Sequence, residues 1–390
     1  MVTMTSADSA LKSLYLGVVA DQLNQQANPL LAQIRQSTAD VWGKDVRRLV
    51  RYGVNGGVGA GTEEGDLPKA SGNSYAQFVT TLKNLYGTIE ISDKAVRASS
   101  ANEGAFVNLL NEEMEGLLKS SSFNFGRMLY GDGNGTLAKV VSITGGVVKL
   151  DSVKNIAEGM VVDFLTSAGA EIASATGRKI LSVDRAGKTI KIDGATVTST
   201  EAPAGSIVAL QGSYGLELTG LAAIFDTDKD IYGVDRSENG WMNPYIKESV
   251  GALDELTIQT AIDTVEETSG SKINFIVCSW GVRRALTALL AENRSYVNTV
   301  DLEGGFKAIS FGGIPVVADR FCPDGTMYLL NTDDFCLHQL CDWQWLEDEE
   351  GRVLKQVAGK PVYTATLVKY ADLVCTRPCG QAMLSGITEA

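Results

Sequence analysis

Histidine is almost absent from this 390-residue chain, which contains a single one, His338. Because histidine is the usual general base near neutral pH, Ser-His-Asp or Cys-His catalysis would have to use this residue. His338 lies between Cys336 and Cys341, with Cys375 and Cys379 downstream, so a zinc site is one interpretation. The cysteine spacings are looser than those of zinc fingers, which favours buried, reduced thiols. We therefore assign no metal, no cofactor and no catalytic residue.

Long apolar runs and an excess of basic charge are also missing. No apolar run approaches the roughly 18 residues of a transmembrane helix, so no membrane span is predicted. Residues 1–10 lack the basic and apolar regions of a secretory signal. The 34 Lys and Arg residues against 47 Asp and Glu leave a net charge of −13. Since phosphate affinity comes mainly from Lys and Arg, sequence-specific nucleic-acid binding is disfavoured.

Three apparent motifs do not develop into sites. Gly187-Lys188-Thr189 ends like a phosphate-binding loop, but the first glycine of that motif would fall at Ser182, and the flanks alternate like a hairpin. The glycine cluster 56–61 lacks the third glycine of a dinucleotide-binding turn. The acidic run 347–351 is interpreted as a solvated turn and not as a cation site.

Helical periodicity marks two segments in the first third of the chain. Apolar residues at helical spacing over 7–23 predict an amphipathic helix. Ser100 and Glu103 have the spacing of a capping box, and apolar residues then recur every three or four positions to about Tyr130. This pattern predicts a helix roughly 45 Å long that ends at the glycine-rich turn 131–135.

Extended structure is predicted on both sides of this helix. Residues 53–74 are glycine-rich and polar, which is typical of a loop or mobile arm. Tyr75–Ile91 alternates and is rich in strand formers, so we interpret it as two strands forming the limbs of a long hairpin. Within 136–212, short Val/Ile-rich runs alternate with turns, which predicts a small antiparallel β domain of barrel type.

The pattern after Gly220 is mixed. It predicts helices over 254–268 and 282–292 and a fully apolar strand over Ile273–Cys278. Further strands are predicted at 307–310, 314–318, 327–330, 361–370 and 371–377. With a length of about two and a half average domains, the chain is expected to contain more than one structural unit.

These residues resemble the major capsid proteins of tailed bacteriophages, which share the Hong Kong 97-like fold. Ile89–Ser99 is similar to the stretch that leads from the extended loop of that family into its long spine helix. Phe125–Gly133 is similar to the Gly-x-Gly turn that closes the helix. A second block of similarity comprises strand Asn274–Cys278, helix Val282–Leu290 and the segment Phe311–Asp319.

The resemblance implies an α+β fold with an N-terminal arm, an extended loop, a long spine helix, and peripheral and axial domains. The chain departs from the family at Thr136–Gly212, because the Gly-hydrophobic stretch that closely follows the turn in simpler members appears only at Leu218–Leu221. We therefore expect an inserted all-β domain there. The implied division is 1–52 for the arm, 53–98 for the extended loop, 99–135 for the spine helix of the peripheral domain, 136–212 for the inserted domain, 213–250 for the peripheral return, 251–345 for the axial domain and 346–390 for the terminal strands.

The implied function is structural and not enzymatic. The resemblance implies a major capsid protein that self-assembles through hexamers and pentamers into an icosahedral shell around the double-stranded DNA of a tailed phage. Such a protein assembles in the host cytoplasm and is located in the virion. The implied partners are copies of itself, a separate scaffolding protein, a portal, a decoration protein and packaged DNA contacted without sequence readout. No membrane partner is implied.

The distribution of charge agrees with a container for DNA. Residues 1–60 carry six basic and four acidic side chains, a balance of +2, so the remainder carries −15. A modest positive arm on an acidic body does not grip phosphate tightly, so packaging and release are not hindered. The alternatives are an encapsulin-type nanocompartment shell, then a zinc-containing enzyme or a phage tail protein.

Three finer expectations concern assembly. Lys69, Lys83 and Lys94 lie in or near the loop, where some family members form a covalent cross-link, but no apposed carboxylate is evident and a non-covalent shell is expected. The recognisable loop begins by about residue 55, so no cleaved N-terminal scaffolding region is expected. The segment 136–212 is expected to project from the outer surface near the end of the spine helix and to touch neighbouring subunits or a decoration protein.

Overall fold

The computed structural model describes residues 28–39, 41, 45–94, 103–292, 299–301, 307–347, 351 and 353–390. The predicted helix over 7–23, Ser100 of the predicted capping box and most of the acidic turn lie outside these ranges. Within them, no helix is both long enough and apolar enough to cross a membrane.

The longest described helix coincides with the longest stretch of helical periodicity in the described residues. The described α-helices are α1 (Pro29–Gln33), α2 (Glu103–Met128), α3 (Leu221–Phe225), α4 (Glu255–Ser269) and α5 (Trp280–Glu292). The 26-residue helix α2 confirms the predicted long helix and continues through Ser120–Ser122. Gly133 and Gly135, at φ +84° and +78°, then turn the chain in the left-handed region that glycine adopts without strain.

Strands account for most of the remaining regular structure. Those in the first half are β1 (Arg35–Ser37), β2 (Asp45–Tyr52), β3 (Ser74–Thr81), β4 (Lys83–Ser92), β5 (Thr136–Thr144), β6 (Val147–Leu150), β7 (Val161–Leu165), β8 (Arg178–Asp184), β9 (Thr189–Ile192) and β10 (Ile207–Leu210). Those in the second half are β11 (Tyr245–Lys247), β12 (Phe275–Cys278), β13 (Thr299–Asp301), β14 (Lys307–Phe311), β15 (Ile314–Ala318), β16 (Met327–Leu330), β17 (Phe335–Trp345), β18 (Lys355–Gln356), β19 (Val362–Cys375) and β20 (Ala382–Leu384).

The central sheet joins parts of the chain that are far apart in sequence. Its order is β1-β17-β19-β18, and β4 pairs along ten residues of β19, from Ser92 opposite Val362 to Lys83 opposite Ala371. The two extended runs predicted at 361–370 and 371–377 are one continuous strand. Helix α2 packs on this sheet through buried residues such as Met114, Leu118 and Phe125.

Residues 136–210 close into a barrel of strand order β10-β5-β6-β9-β8-β7. The short Val/Ile-rich runs predicted in this region are strands in the structure, bounded by turns and, as in β9, apolar at alternate positions. Inward side chains such as Val148, Phe164 and Ile190 form a core separate from that of the central sheet. The barrel therefore satisfies its own backbone and buries its own apolar surface.

A seven-stranded mixed sheet, β11-β20-β16-β12-β15-β14-β13, forms the third unit. Helices α4 and α5 cover it, with Ile258, Val265 and Leu286 fully buried. Helix α4 begins where Asp254 caps the N–H of Thr257 at 2.5 Å and ends at left-handed Gly270. The α+β prediction is confirmed.

The hairpin predicted within Tyr75–Ile91 is wrong. Its two strands, β3 and β4, exist, but they do not pair with each other: β3 pairs antiparallel with β2, from Asp45 opposite Thr81 to Tyr52 opposite Ser74, whereas β4 joins the central sheet. The hairpin therefore spans the glycine-rich stretch. The reason is that β3 and β4 are separated by Leu82 alone, which leaves no room for a hairpin turn.

Strand pairing also differs from the predicted division of the chain at three points. Strand β2, allotted to the arm, belongs to the hairpin. Strand β17, allotted to the mixed unit, lies in the central sheet, because eight of its residues pair with β19. Strand β11, allotted to the peripheral return, lies in the mixed sheet beside β20.

We predict that replacing residues 136–212 by a short Gly-Ser linker leaves a soluble subunit that unfolds cooperatively. The two ends of this segment are adjacent, since Gly215 N–H donates to the Asn134 carbonyl at 2.9 Å, and the barrel core is separate. Far-UV circular dichroism and thermal unfolding of the truncated protein check this. Loss of all cooperative unfolding would show that the barrel is part of the main core.

Candidate assembly interface

Strands β2 and β3 form a separate two-stranded sheet, and this hairpin has two different faces. Alternation along β2 turns Val46 and Val50 inward and Arg47, Leu49 and Arg51 outward. The inward face packs on the body, whereas the outward face is exposed, with Leu49 67% accessible. A strand face that carries arginine and leucine together suits a protein surface better than open solvent.

Beyond the paired strands, residues 53–73 continue as a narrow ribbon. Its two limbs run side by side: a Cβ on Gly57 would lie 3.2 Å from the Ser71 nitrogen, and one on Gly59 would lie 3.3 Å from Pro68. The ribbon turns at Thr62–Asp66, where Gly65 N–H donates to the Thr62 carbonyl at 3.2 Å. The 18 residues from Asp45 to this tip correspond to a maximum reach of about 60 Å.

The ribbon leaves apolar side chains uncovered. Val54, Val58 and Leu67 are 91%, 87% and 88% exposed. The sequence alone identified this stretch as a loop that cannot fold by itself, and in the structure it reaches out without contributing to any core cluster of the described residues. A long, exposed, partly apolar segment is the geometry expected of chain that is covered by another molecule. From here on, the arm means the β2–β3 hairpin with its ribbon, residues 45–81.

Charge is segregated along the arm. The stem carries Arg47, Arg48 and Arg51 on β2, whereas the tip carries Glu63, Glu64 and Asp66. The tip residues are all exposed. The arm is therefore basic at its stem and acidic at its tip. A partner with complementary charges would bind it in one orientation.

Aromatic stacking fixes the base of the arm to the body. Tyr52 stacks on Trp241 with ring centroids 4.6 Å apart and planes 4° from parallel. Phe78, which is buried, packs between Trp241 and Tyr232 at 6.1 and 5.4 Å. Val79 N–H also donates to the Tyr232 carbonyl at 2.9 Å. Such aromatic pairs each stabilise by about 1 kcal/mol beyond the area they bury.

A buried carboxylate joins the arm, the central sheet and the chain that returns from the barrel. Asp372 on β19 accepts hydrogen bonds from the Thr80 hydroxyl on β3, from Thr219 N–H at 2.9 Å and from the Thr219 hydroxyl at 3.1 Å. Desolvation raises the pKa of this carboxyl, opposed by those hydrogen bonds. Because three separate segments converge on one side chain, its loss would loosen the arm.

A buried ion pair closes the base of the barrel. Arg127, in the last turn of α2, donates to both carboxylate oxygens of Glu217 at 2.8 and 2.5 Å. Both side chains are almost inaccessible, at 4% and 3% exposed. This bidentate geometry holds the end of the helix against the segment that leaves β10.

Lys369 forms a second buried cationic site, between α2 and the central sheet. Its ammonium donates to Gln339 at 2.8 Å and to Asp342 at 2.7 Å. It also lies 5.2 Å above the Phe125 ring and 5.9 Å from the Trp343 ring. Desolvation lowers the pKa of Lys369, and Asp342 acts against that shift. The contacts account for a lysine in the core of the sheet.

The residues weighed for zinc do not converge. Cys336 and His338 lie on β17, Cys341 follows a bulge in the same strand, and Cys375 ends β19 opposite Phe335. Burial raises the pKa of the Cys375 thiol well above its ordinary value, which disfavours the thiolate that zinc requires. Across the described ranges, no three His, Cys, Asp or Glu side chains are grouped as a metal site, and all six cysteines are free thiols.

The other motifs lie where the sequence indicated. The 179–192 region is the predicted hairpin, with Asp184 opposite Thr189, so it does not cradle a phosphate. Of the three lysines near the loop, Lys69 and Lys94 are exposed and Lys83 is half-buried at the start of β4. A non-covalent shell remains a prediction.

The anchoring residues were not identified from the sequence. Asp372 and Lys369 are the two charged residues of strand β19 and both are buried, a signal that polar groups are paired in the core. Arg127 lies inside Phe125–Gly133 and Glu217 directly precedes Leu218–Leu221, the two stretches on which the capsid resemblance depends. The structure brings these stretches together, with Leu221 N–H donating to the Leu129 carbonyl at 2.8 Å.

The architecture is that of the capsid proteins of phages. The chain is similar to a protein of the cyanophage A-1(L) capsid asymmetric unit, with a TM-score of 0.57, 14% identity, and coverage of 93% of this chain and 94% of that one. This likeness shows a common fold and confirms the predicted resemblance.

Two further solved structures are more distant. One, from mycobacterium phage Bobi, has a TM-score of 0.47, 9% identity and coverage of 94% and 92% of the two chains. The other, the holo-SrpI encapsulin complex of Synechococcus elongatus PCC 7942, has a TM-score of 0.44, 11% identity and coverage of 95% of each. No protein-family model and no curated protein sequence matches the chain.

We predict that Arg127→Met lowers the free energy of unfolding of the soluble subunit by about 3–5 kcal/mol, because it leaves the Glu217 carboxylate buried without a partner. The double variant Arg127→Met/Glu217→Leu recovers most of this loss, since no charge then remains buried. Lys229→Met is the matched control, because its ion pair with Asp226 is exposed and worth less than about 1 kcal/mol. Denaturant unfolding measures all three; equal losses in the single and double variants would contradict the prediction.

A second prediction follows from the raised pKa of Asp372. The folded protein holds this proton more tightly than the unfolded chain, so the carboxyl contributes most stability below its unfolded pKa and loses that contribution as pH rises through the folded value. The stability of the wild type relative to Asp372→Asn should therefore increase as pH falls from about 7 to about 4.5. Denaturant unfolding at both pH values measures the difference. A constant or reversed difference would show that the carboxyl is not destabilised by burial.

Proposed function

We propose that this chain is a major capsid protein whose copies assemble through hexamers and pentamers into the icosahedral shell of a tailed phage. The observation that carries the proposal is the capsid fold, shared over 93% of the chain with a phage capsid protein, together with the exposed ribbon of residues 53–73 that continues beyond the anchored strands β2 and β3. Beyond its anchored strands, the ribbon of residues 53–73 contributes to no hydrophobic core cluster of the described residues. A shell subunit needs such a segment because contacts to several neighbours, each weak, add up to a stable particle.

In the proposed shell, the body of the subunit bears mechanical load and the arm contacts neighbouring subunits. In this proposal α2 with the central sheet is the peripheral domain, the mixed sheet with α4 and α5 is the axial domain, and the barrel is an inserted domain. Residues 45–94 then form the extended loop, with the β2–β3 hairpin as its reaching part. The buried ion pair and the Asp372 carboxylate lie where these units meet, whereas the Lys369 site holds α2 on the central sheet within the peripheral domain.

The role is structural in this proposal. Three buried charged groups, Arg127, Asp372 and Lys369, are engaged by other side chains and packed in the core, where no substrate could reach them. The shell is located in the virion and encloses double-stranded DNA, contacted without sequence readout. A separate scaffolding protein, a portal and a decoration protein are the further partners that the proposal includes.

The alternative within the same fold is an encapsulin-type shell around protein cargo. Both roles use the same monomer architecture, and the two kinds of particle differ in what they contain. The arm and the barrel favour the phage role in this proposal, because both add surface beyond the fold that closes a simple shell.

Electron microscopy of the purified protein tests the proposal. We expect uniform polyhedral shells, and particles from the native source should contain DNA protected from added nuclease. Deleting 54–72 while keeping β2 and β3 should leave a folded monomer that forms no shells, because the reaching segment is gone. A discrete small oligomer of the wild-type protein under all assembly conditions would refute the proposal, whereas shells that enclose enzymes in place of DNA would support the encapsulin-type alternative.

A further inference from the structure

One outer face of the barrel combines two lysines with two apolar side chains. On β6 and β9, Val148 and Ile190 point into the barrel core, so Lys149 and Lys191 point outward. These two strands are neighbours, with Lys149 opposite Thr189 and Val147 opposite Lys191. The lysines therefore lie diagonally across adjacent strands, close enough to act on one partner.

Two β-bulges place an apolar residue beside each lysine. The register between β5 and β6 shifts between Val140 and Ser142, and Val141 is left outside, 46% exposed, with Ser142 opposite Lys149. The register between β8 and β9 shifts between Ile180 and Ser182 in the same way. Leu181 is thereby left 58% exposed, with Ser182 opposite Lys191. Bulges re-aim side chains, and here both add an apolar residue to one surface.

We name Val141, Lys149, Leu181 and Lys191 the barrel patch. Within the described part of the chain, no ion pair uses Lys149 or Lys191. By contrast, Lys188 at the nearby turn donates to the Asp151 carbonyl at 3.1 Å. A surface with two available ammonium groups between two aliphatic side chains selects a partner that carries carboxylates beside aliphatic side chains.

The tip of the arm has this composition. Glu63, Glu64 and Asp66 supply carboxylates, and Val58 and Leu67 supply aliphatic side chains that are 87% and 88% exposed. The tip does not rest on the barrel of its own chain, since its residues are exposed throughout. Any surface that covers it therefore belongs to another molecule, and the ten residues from Gly53 to Thr62, which span at most about 33 Å beyond the anchored strands, make a neighbouring subunit accessible.

We propose that the tip of the arm, residues 58–67, docks on the barrel patch of a second copy of this chain. The inference deepens the proposed function, because it assumes that copies assemble, and it names the two surfaces that meet. Carboxylates of the tip pair with Lys149 and Lys191, while Val58 and Leu67 cover Val141 and Leu181. The charge pairs set the register of the contact, and the aliphatic contacts exclude water from it.

Zero-length cross-linking of assembled particles tests the contact directly. A water-soluble carbodiimide joins carboxylates to amines that already touch, so we expect peptides linking Glu63, Glu64 or Asp66 to Lys149 or Lys191. Particles assembled from equal amounts of ¹⁴N- and ¹⁵N-labelled subunits should give mixed-isotope linked peptides, which identifies the link as intermolecular. Tip carboxylates linked only to other surfaces, or only within one chain, would overturn the inference.

Charge reversal tests the same contact through its effect on shell formation. Lys149→Glu/Lys191→Glu and Glu63→Lys/Glu64→Lys should each lower the yield of shells by about tenfold or more, because the repulsion recurs at every subunit contact. The variant that combines all four substitutions should recover shell formation, since the pairs are restored with opposite polarity. Arg185→Glu/Lys272→Glu is the control with the same change in net charge, made at exposed residues outside the patch.

The outcomes separate this inference from the proposed function. If the wild-type protein forms no shells, the proposed function fails. If it forms shells and the patch variant assembles as the control does, the docking inference alone is wrong. Loss in both double variants without recovery in the combined one would also overturn it, because a direct pairing requires rescue. Circular dichroism of each monomer confirms that the exposed substitutions leave the fold intact.

Discussion

The rest of the structure depends on the contact between the end of helix α2 and the segment that follows the barrel. Arg127 and Glu217 are buried as a bidentate pair, and a Cβ on Gly220 would lie 2.4 Å from the Met128 carbonyl, so only glycine allows the two backbones to approach this closely. Around this junction the chain places Thr219 under the Asp372 carboxylate, and through it the β2–β3 hairpin is tied to the central sheet. The junction at the base of the barrel thus helps to fix the position of the arm, although the arm and the barrel lie far apart in sequence.

Much of this architecture could be predicted from local pattern. Helix α2 follows from apolar residues spaced every three or four positions, and the barrel strands follow from period-two alternation between glycine turns, because each of these elements encodes its own period. Helix α4 of the mixed unit could be predicted in the same way, since it lies between Asp254 and Gly270 and its inward face is apolar. The likeness to a phage capsid protein extends over nearly the whole chain. The order of elements therefore carried more information than any single motif.

The remainder could not be predicted because it consists of long-range choices. Nothing in the sequence of β3 specifies that it pairs with β2 across 21 intervening residues of glycine-rich chain, and pairing with β4 is excluded only once the strand ends are known, because one residue leaves no room for a turn. Strand β19 was predicted as two runs and is one strand with two buried charges, Lys369 and Asp372. A buried charge is acceptable only with partners that local pattern does not reveal. The arm itself was recognised as reaching chain, whereas its acidic tip and the patch on the barrel acquire meaning only once the side-chain directions are known.

The pairing of β4 with β19 has a consequence for the order in which the chain folds during synthesis. The barrel strands are contiguous, so the barrel can close as soon as residue 210 leaves the ribosome. The central sheet, by contrast, requires β19, and the Thr80–Asp372 contact spans 292 residues, so neither can form before nearly the whole chain has been made. A nascent chain therefore carries a finished barrel and an unanchored arm. The arm acquires its fixed direction only when β19, near the end of the chain, has been made, so the direction of the arm is among the last features of the subunit to be set.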